Sequence, residues 1–233
     1  GIYEQGLRSD AIGLPVGDSI SLGIHESQSR MWENQVGRSA AFWEWATPLA
    51  HEILGDGART FDTSALYGAA NVVAPGFIRV EADEATYNLH IIIRFGLERQ
   101  MLKGDLAVRD LPEAWNARYR ELLGVEVTDD AHGCLQDIHW SMTAMGYFPT
   151  YTLGNLHAAQ LFEAACSDHP GLVDGFSRGE FRPLREWLNT KVHAEGKRYG
   201  ALELTEKLTG KPLSAEPLMR HLESKLLPLY GLA

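Results

Sequence analysis

The chain has 233 residues, of which 45% are hydrophobic and 22% charged, with a formal net charge of −10. That length is enough to bury a substantial core. The negative charge disfavours a nucleic-acid partner and an anionic membrane surface, because both attract basic protein faces. We find no apolar run of the roughly 20 residues needed to span a bilayer and no secretory signal.

Two cysteines occur, Cys134 and Cys166, and neither belongs to a CxxC pair. The sequence therefore predicts neither a disulfide framework nor a cysteine zinc site, and a cytoplasmic location is the default expectation. The chain does not begin with Met. Its first residues, GIYEQGL, are typical of the end of a helix that stops at Gly6. We expect from this a fragment or a missing upstream part.

Apolar residues at spacings of three and four predict helices along most of the chain. The first long helix is predicted over residues 19–54, capped by Ser19 or Ser21 and broken by the glycines that follow. FDTSALYGAANVV predicts a short helix. IRVEADEATYNLHIIIRFGLERQMLKG predicts a long helix that stops at Gly104.

The next helix, in DLPEAWNARYRELLG, has Asp110 as its cap, Pro112 in its first turn and Gly124 at its end. A further helix is predicted from Gln136 to Met145. Three more helical stretches complete the chain: TLGNLHAAQLFEAACSD, FRPLREWLNTKVHAEGKRYG and SAEPLMRHLESKLLPLYG. Only FIRVEAD hints at the period of two that a strand would show, and we find no repeat or long linker. A single all-α domain over residues 1–233 is the simplest prediction.

A polar stripe crosses the predicted long helix, where Arg79, Asp83, Thr86 and His90 fall within about 60° of arc. Such a stripe is usually a solvent face. The second half of this helix is apolar nearly all round, which indicates burial, so these polar groups would need partners or a wet cleft. Arg79 could pair with Asp83 or offer its guanidinium to a ligand carboxylate.

GCLQDIHWSMTAMGYFPTY contains a second group of candidate site residues. On a helix, Asp137 and His139 would point about 200° apart, which argues against a local acid–base pair. His139 is either a wall of a site or a satisfied core histidine. Tyr147 and Tyr151 flank a proline in a stiff loop, and they either donate hydrogen bonds to a developing oxyanion or anchor the packing.

His25 and Glu26 are adjacent, so on a helix they diverge by about 100° and are unlikely ligands of one metal. A lone glutamate is a weak metal signal, because a catalytic zinc needs two more protein ligands. The residues alone predict a helical protein with a possible carboxylate-binding cleft.

Five stretches together resemble the carboxypeptidase Taq family of zinc metallocarboxypeptidases: IHESQSRMWEN, IRVEADEATYNLHIIIRF, DLPEAWN, GCLQDIHWSMTAMGYFPTYTLGNLHAAQ and the terminal YGL. The resemblance implies an all-α fold, here a bundle-like half of a grooved metallocarboxypeptidase. It implies hydrolysis of the C-terminal residue of peptides, so the expected partners are peptide C-termini. A homodimer or higher oligomer is also expected.

The resemblance implies that Glu26 is a metal ligand, matching the Glu of the family's HES(Q/G) motif. The family's other two ligands are the histidines of an HExxH helix, whose Glu is the general base. That helix continues into a YEQG-like segment, and this chain opens with GIYEQGL. We therefore expect the C-terminal half of the enzyme, with zinc absent or weakly bound and with no activity alone.

Other site residues follow from the same resemblance. Arg79 matches the IRxxAD motif and is expected to bind the peptide carboxylate, with Asp83 orienting it or a neighbouring side chain. His139 is expected to bind substrate or the tetrahedral intermediate. Tyr147 is the preferred oxyanion donor and Tyr151 a further substrate contact. Three residues are expected to act behind these, namely His25, Gln136 and Asp137.

An alternative function is non-catalytic. A chain that keeps the family fold without the metal would bind peptide C-termini, or would pair with a full-length partner as a regulatory or dimerisation subunit.

Overall fold

The structure is a computed structural model and describes residues 1–232. Within them the secondary structure is helical and no strand occurs, which confirms the predicted all-α class. Twelve α-helices follow one another in chain order in the described residues: α1 Ile2–Gly6, α2 Leu22–Arg30, α3 Ala40–Leu54, α4 Asp56–Arg59, α5 Thr63–Ala70, α6 Tyr87–Lys103, α7 Leu111–Leu123, α8 Pro149–Asp168, α9 Leu172–Phe176, α10 Arg182–Lys191, α11 Ala201–Thr209 and α12 Glu216–Leu229. No helix in this range has the length and apolar character needed to cross a membrane.

The chain forms two compact units. The first unit contains Gly1–Asn71 and the residues from Leu153 onward, and the second unit is the continuous segment Val72–Thr152. The chain passes from the second unit back into the first within α8. The single domain predicted from the sequence stays a prediction.

Each unit has its own apolar core. In the first unit, large side chains that are almost fully buried come from α2, α8, α9, α10 and α11: Ile24, Leu161, Phe176, Leu184 and Leu204. In the second unit, α6 packs on α7, and Trp115 stacks on Tyr119 with ring centroids 5.0 Å apart. Burial of aromatic rings of this size is a main source of stability in a small core.

The end signals of α7 and α6 are confirmed. Helix α7 has Asp110 at its N-cap position, Pro112 in its first turn and Gly124 in the left-handed conformation after its last residue. Gly104 ends α6 in the same way. Glycine adopts this conformation without the steric cost of a Cβ atom, which explains why the sequence located both ends correctly.

The predicted helix over residues 19–54 is wrong in its middle. Ser21 caps helix α2, since its Oγ accepts a hydrogen bond from Ile24 N at 3.2 Å. The helix leads into a π-helical segment, Met31–Gly37. A new helix, α3, then begins at Ala40 and is capped by Ser39, whose Oγ accepts a hydrogen bond from Phe42 N at 3.1 Å. A serine inside an apolar stripe is compatible with a helix interior, but here its side chain caps the next helix instead.

The predicted helix from Gln136 to Met145 is also wrong, because this segment consists of turns. Thr143 has φ of 61°, in the left-handed region, which a continuous right-handed helix excludes. Tyr151, predicted to lie in a loop, is in the first turn of α8.

Candidate active site

Asp137 lies between two buried arginines of the second unit. Its Oδ1 accepts hydrogen bonds from Arg79 Nε at 3.1 Å and Nη2 at 2.6 Å, and its Oδ2 accepts one from Arg94 Nε at 2.6 Å. The Arg94 side chain is fully buried, and those of Arg79 and Asp137 are only 6% and 10% exposed. Charges so far from water need such direct pairing. We call these three residues the Arg–Asp–Arg cluster.

Gln136 connects the same two arginines. Its Oε1 accepts hydrogen bonds from the Arg79 backbone N at 2.9 Å and from Arg94 Nη2 at 2.7 Å, while its Nε2 donates to the Phe77 carbonyl at 3.0 Å. Arg94 Nη1 also donates to the Tyr119 hydroxyl at 3.1 Å. The segment predicted to support the site from behind, Gln136 and Asp137, therefore fixes both guanidinium groups.

The Arg–Asp–Arg cluster has two cations and one anion. Burial by itself disfavours the charged form of Asp137, but the hydrogen bond from Arg79 and the charges of Arg94 and Arg79 outweigh it and hold the pKa of this carboxyl below its ordinary value. Asp137 is therefore ionised at neutral pH, and the cluster carries one positive charge in excess. An excess positive charge in a poorly hydrated place favours an anionic ligand.

The Arg79 guanidinium lies over an aromatic ring and retains free donors. Its Cζ is 4.7 Å from the ring centroid of Tyr151, and its Nη1 donates to the Tyr87 hydroxyl at 3.2 Å. A guanidinium has five N–H groups, and the bonds to Asp137 and Tyr87 use one on each nitrogen. One N–H on Nη1 and one on Nη2 remain, in the arrangement that receives the two oxygens of a carboxylate.

His139 belongs to the same site but is turned towards protein groups. Its Nε2 is 3.1 Å from the Tyr151 hydroxyl, and its ring centroid is 4.4 Å from that of Phe148. Its Nδ1 lies 3.7 Å from Asp137 Oδ1, an ion-pair distance that is too long for a hydrogen bond. Burial, opposed by Asp137 and reinforced by both arginines, lowers the pKa of His139, so the ring is neutral at pH 7.

Two tyrosines line His139. The Tyr147 ring centroid is 5.2 Å from that of His139 and 5.5 Å from that of Tyr151. Tyr147 is half-buried. The structure thus places Arg79, Tyr147 and Tyr151 close to His139. Their predicted roles in a site stay a prediction.

Asp83 has a different place from the one that the helical stripe predicted. Its carboxylate accepts hydrogen bonds from the backbone N of Ala74, Ala85 and Thr86, and from the Thr86 hydroxyl at 2.7 Å. These bonds hold turns that precede α6, so the helix begins at Tyr87 and does not include Arg79. The predicted stripe is therefore wrong, and the ion pair of Arg79 is with Asp137 and not with Asp83.

Glu26 and His25 belong to the first unit, on α2. This helix packs closely on α8. Arg30 Nε donates to Asn155 Oδ1 at 2.8 Å, and a Cβ atom at Gly154 would lie 2.7 Å from Glu26 Cγ. Gly154 therefore sets how near α8 comes to the stem of Glu26, because no other residue lacks a Cβ.

His25 is a neighbour of the N-terminal helix. Its Nε2 lies 3.3 Å from Glu4 Oε1, and its ring centroid is 5.4 Å from that of Tyr3. These contacts hold the imidazole against α1. The supporting role of His25 beside Glu26 stays a prediction.

Replacing Gly154 by alanine is expected to lower the free energy of unfolding by about 1–3 kcal/mol, because the added methyl group overlaps the Glu26 side chain. Urea unfolding followed by circular dichroism measures the change. The matched control is Gly68→Ala in α5, where a Cβ meets nothing within 4 Å. That variant is expected to gain about 0.5–1 kcal/mol. Equal stability of Gly154→Ala and wild type would contradict the close approach of α2 and α8.

The comparison with known proteins shows the family of the chain. A family model described as carboxypeptidase Taq (M32) metallopeptidase matches residues 1–226. The chain belongs to the carboxypeptidase Taq (M32) family.

Individual members of the M32 family are similar to it over almost the whole chain. It is 49% identical to thermostable carboxypeptidase 1 of Thermus thermophilus over 233 residues, which is 99% of this chain and 45% of the relative. It is 42% identical to carboxypeptidase 1 of Bacillus subtilis, over 98% of this chain and 46% of that protein. The structure of an M32 carboxypeptidase from Deinococcus radiodurans matches with a TM-score of 0.96 at 44% identity, over 99% of this chain and 46% of that one. The chain spans less than half the length of these relatives.

The M32 family consists of metallopeptidases, which implies a metal ion. Within residues 1–232, no group of three or more His, Cys, Asp or Glu side chains is placed to hold a metal ion. Glu26 offers a single carboxylate, whereas a catalytic zinc takes three protein ligands. The described residues by themselves do not fit the metal site of an M32 enzyme.

The sequence did not predict two members of the candidate site. Arg94 and Tyr119 both contact the site, and both are fully buried. One signal was present: Arg94 is the only charged residue in HIIIRF, and a lone charge on an apolar helix must find a buried partner. Tyr119 carried no such signal, because its position on α7 is that of an ordinary core residue.

Proposed function

We propose that the chain is part of a metal-dependent carboxypeptidase that removes the C-terminal residue from peptides. Membership of the M32 family supports this proposal, as does the chemistry of the second unit. An exopeptidase of this kind must recognise a terminal carboxylate, and the Arg–Asp–Arg cluster carries an excess positive charge beside free N–H groups of Arg79. This excess charge is the observation that carries the proposal. A homodimer is the assembly we propose for it.

The roles of the other second-unit residues follow from their positions. Arg79 takes the peptide carboxylate, and Tyr151 holds the guanidinium by its ring and the His139 imidazole by its hydroxyl. Tyr147 is proposed to donate a hydrogen bond to the substrate carbonyl, where negative charge develops during hydrolysis. His139 is proposed to act on the substrate through the Tyr151 hydroxyl, which its Nε2 contacts. Asp83 acts indirectly, since it holds the turns on either side of Arg79 in place.

Glu26 is proposed as the one metal ligand that the described residues contribute. The neighbouring His25 is proposed to help orient the Glu26 carboxylate. Zinc is the proposed metal, and it would supply an activated water for attack on the peptide bond. The described donors do not complete a zinc site. The residues of this chain account for binding the peptide end and for stabilising charge on its carbonyl.

The 233-residue protein is expected to bind N-acetyl-alanyl-phenylalanine at least about tenfold more tightly than the corresponding C-terminal amide, because the amide lacks the charge that Arg79 recognises. Isothermal titration calorimetry with a chelator present measures both affinities without hydrolysis. Arg178→Gln is the control variant, because Arg178 is exposed and pairs with Glu180 at the surface. It is expected to keep the preference for the acid over the amide. Equal affinities for acid and amide in the wild-type chain would refute the carboxylate site.

The purified protein is expected to contain well under one equivalent of zinc per chain, because the described residues gather no set of three metal ligands. Elemental analysis after dialysis against a metal-free buffer measures it. Glu26→Gln is the comparison variant, and it is expected to give the same low value. A full equivalent of zinc in the wild type that is lost in Glu26→Gln would mean that other residues complete a site around Glu26.

A second candidate function is binding of peptide C-termini without hydrolysis, either alone or as a regulatory or dimerisation subunit. The absence of a three-ligand metal group in the described residues favours it. Incubation of the peptide acid with the 233-residue chain and added zinc separates the two functions. Release of free phenylalanine, detected chromatographically, supports the enzyme, whereas carboxylate-selective binding without release supports the non-catalytic protein.

A further inference from the structure

The Arg–Asp–Arg cluster contains an arginine that the peptide cannot reach. Arg94 has no exposed side-chain surface, and its Cζ lies 4.6 Å from the ring centroid of Trp115. Its donors go to Asp137 Oδ2, Gln136 Oε1, the Tyr119 hydroxyl and the His90 carbonyl. Any influence of Arg94 on a ligand must therefore pass through the groups that it holds.

We propose that Arg94 is a positioning residue that sets the direction of the Arg79 guanidinium through Asp137 and Gln136, and thereby makes the second unit selective for a free peptide carboxylate. This inference rests on the proposed function, in which Arg79 binds that carboxylate.

The geometry at Asp137 explains how this works. Arg94 occupies Oδ2 at 2.6 Å, so the short bond of Arg79, also 2.6 Å, is made to Oδ1. Arg79 Nε lies 3.3 Å from Oδ2, a longer and weaker contact. The guanidinium is thus bound on its Nε and Nη2 side, and the far edge, with one N–H each on Nη1 and Nη2, is kept for another carboxylate.

Without Arg94, the second oxygen of Asp137 would be open to Arg79. A bidentate pair with both oxygens is the preferred arrangement of an isolated arginine and carboxylate. The guanidinium would turn towards Asp137, and its free edge would leave the position that a ligand needs. Gln136 Oε1 would also keep only one of its two donors.

Arg94 has a second possible effect, which is purely electrostatic. With Arg94 the cluster has a net charge of +1, and in Arg94→Met the charges of Arg79 and Asp137 cancel. The double variant Arg94→Met/Asp137→Asn has net charge +1 again but lacks the groups that position Arg79. Positioning and charge therefore predict different results for the double variant.

The experiment measures the ratio of dissociation constants, amide over acid, for the N-acetyl-alanyl-phenylalanine pair on the wild-type 233-residue chain and on three variants. The wild type is expected to give roughly tenfold or more, Arg94→Met a ratio near one, and the double variant also a ratio near one. Arg94→Lys keeps the charge and one donor to Asp137, so an intermediate ratio of roughly threefold is expected. Circular dichroism checks that each variant is folded, and Arg94→Lys decides the outcome if Arg94→Met does not fold.

Three results would overturn the proposal. A wild-type ratio in Arg94→Met, even with a lowered melting temperature, would make Arg94 purely structural. A ratio restored in the double variant would show that net charge is decisive. A wild-type ratio in Arg94→Lys would lead to the same conclusion. A ratio of one in the wild type is a distinct result, because it removes the carboxylate site itself and hence the proposed function.

Discussion

Replacing Asp137 by asparagine is expected to lower the free energy of unfolding by about 3–5 kcal/mol, because it leaves two buried guanidinium groups without their counter-charge. Asparagine has nearly the same shape as aspartate, so the loss reports charge and not packing. Urea unfolding gives the total change. Hydrogen exchange with mass spectrometry locates it, and we expect the protection of α6 to fall first.

The second unit offers a matched control in an exposed ion pair. Arg120 binds Glu126 through Nε at 2.5 Å and Nη2 at 2.8 Å, with both side chains more than half exposed. Glu126→Gln is expected to leave stability unchanged within error, since water screens such pairs. A loss for Asp137→Asn no larger than that of Glu126→Gln would show that the buried cluster does not hold the unit together.

Acid is expected to destabilise the protein steeply between about pH 6.5 and about pH 4, through its buried histidines. Burial lowers the pKa of His90, His157 and His193 from the ordinary 6.5 to about 4, helped at His90 by the charges of Arg94 and Arg79 and at His193 by His25. In this pH interval the unfolded chain therefore binds more protons than the folded chain, so the free energy of unfolding falls as the pH falls. Each histidine accounts for up to about 3 kcal/mol, fully lost below pH 4.

The histidine contribution is measured by urea unfolding at several pH values. His157 is the clearest case, because its Nδ1 is 2.7 Å from the Thr205 hydroxyl and burial alone shifts its pKa. His157→Gln is expected to reduce the proton uptake on unfolding near pH 5 by nearly one. An unchanged slope in His157→Gln would mean that His157 is hydrated and titrates normally.

The helix ends that the sequence located are those with a local cause. Gly104 and Gly124 stop helices by their own backbone preference, and Pro112 marks a first turn. The break at Ser39 and the turns after Gln136 have causes that act over a distance. In particular, the backbone around Gln136 and Asp137 departs from a helix and binds arginines 42 to 58 residues away.

In the candidate site, too, the sequence predicted some features and missed those that depend on contacts between distant residues. Arg79, Glu26, His139 and the tyrosines were found by motif resemblance, which carries positions but not contacts. The pairing of Arg79 with Asp137 and not with Asp83 could not be predicted from the spacing of the residues. The spacing argument treated residues 79–86 as helical. The hydrogen bonds of Asp83 to Thr86 hold turns there instead, before α6 begins at Tyr87. Arg94 was missed because a single arginine on a helix is compatible with a solvent-exposed position as well as with a buried pair.

The way the chain is divided between its two units has a consequence for its synthesis. The second unit is one continuous segment that ends at Thr152, whereas the first unit needs residues from both sides of that segment. At a translation rate of about 5–20 residues per second, the second unit can be complete on the ribosome several seconds before the last residues of the first unit appear. During that interval the apolar faces of α2 and α3 are not yet covered by α8 to α11. These two helices are therefore the segments to which a chaperone would bind or through which nascent chains would associate.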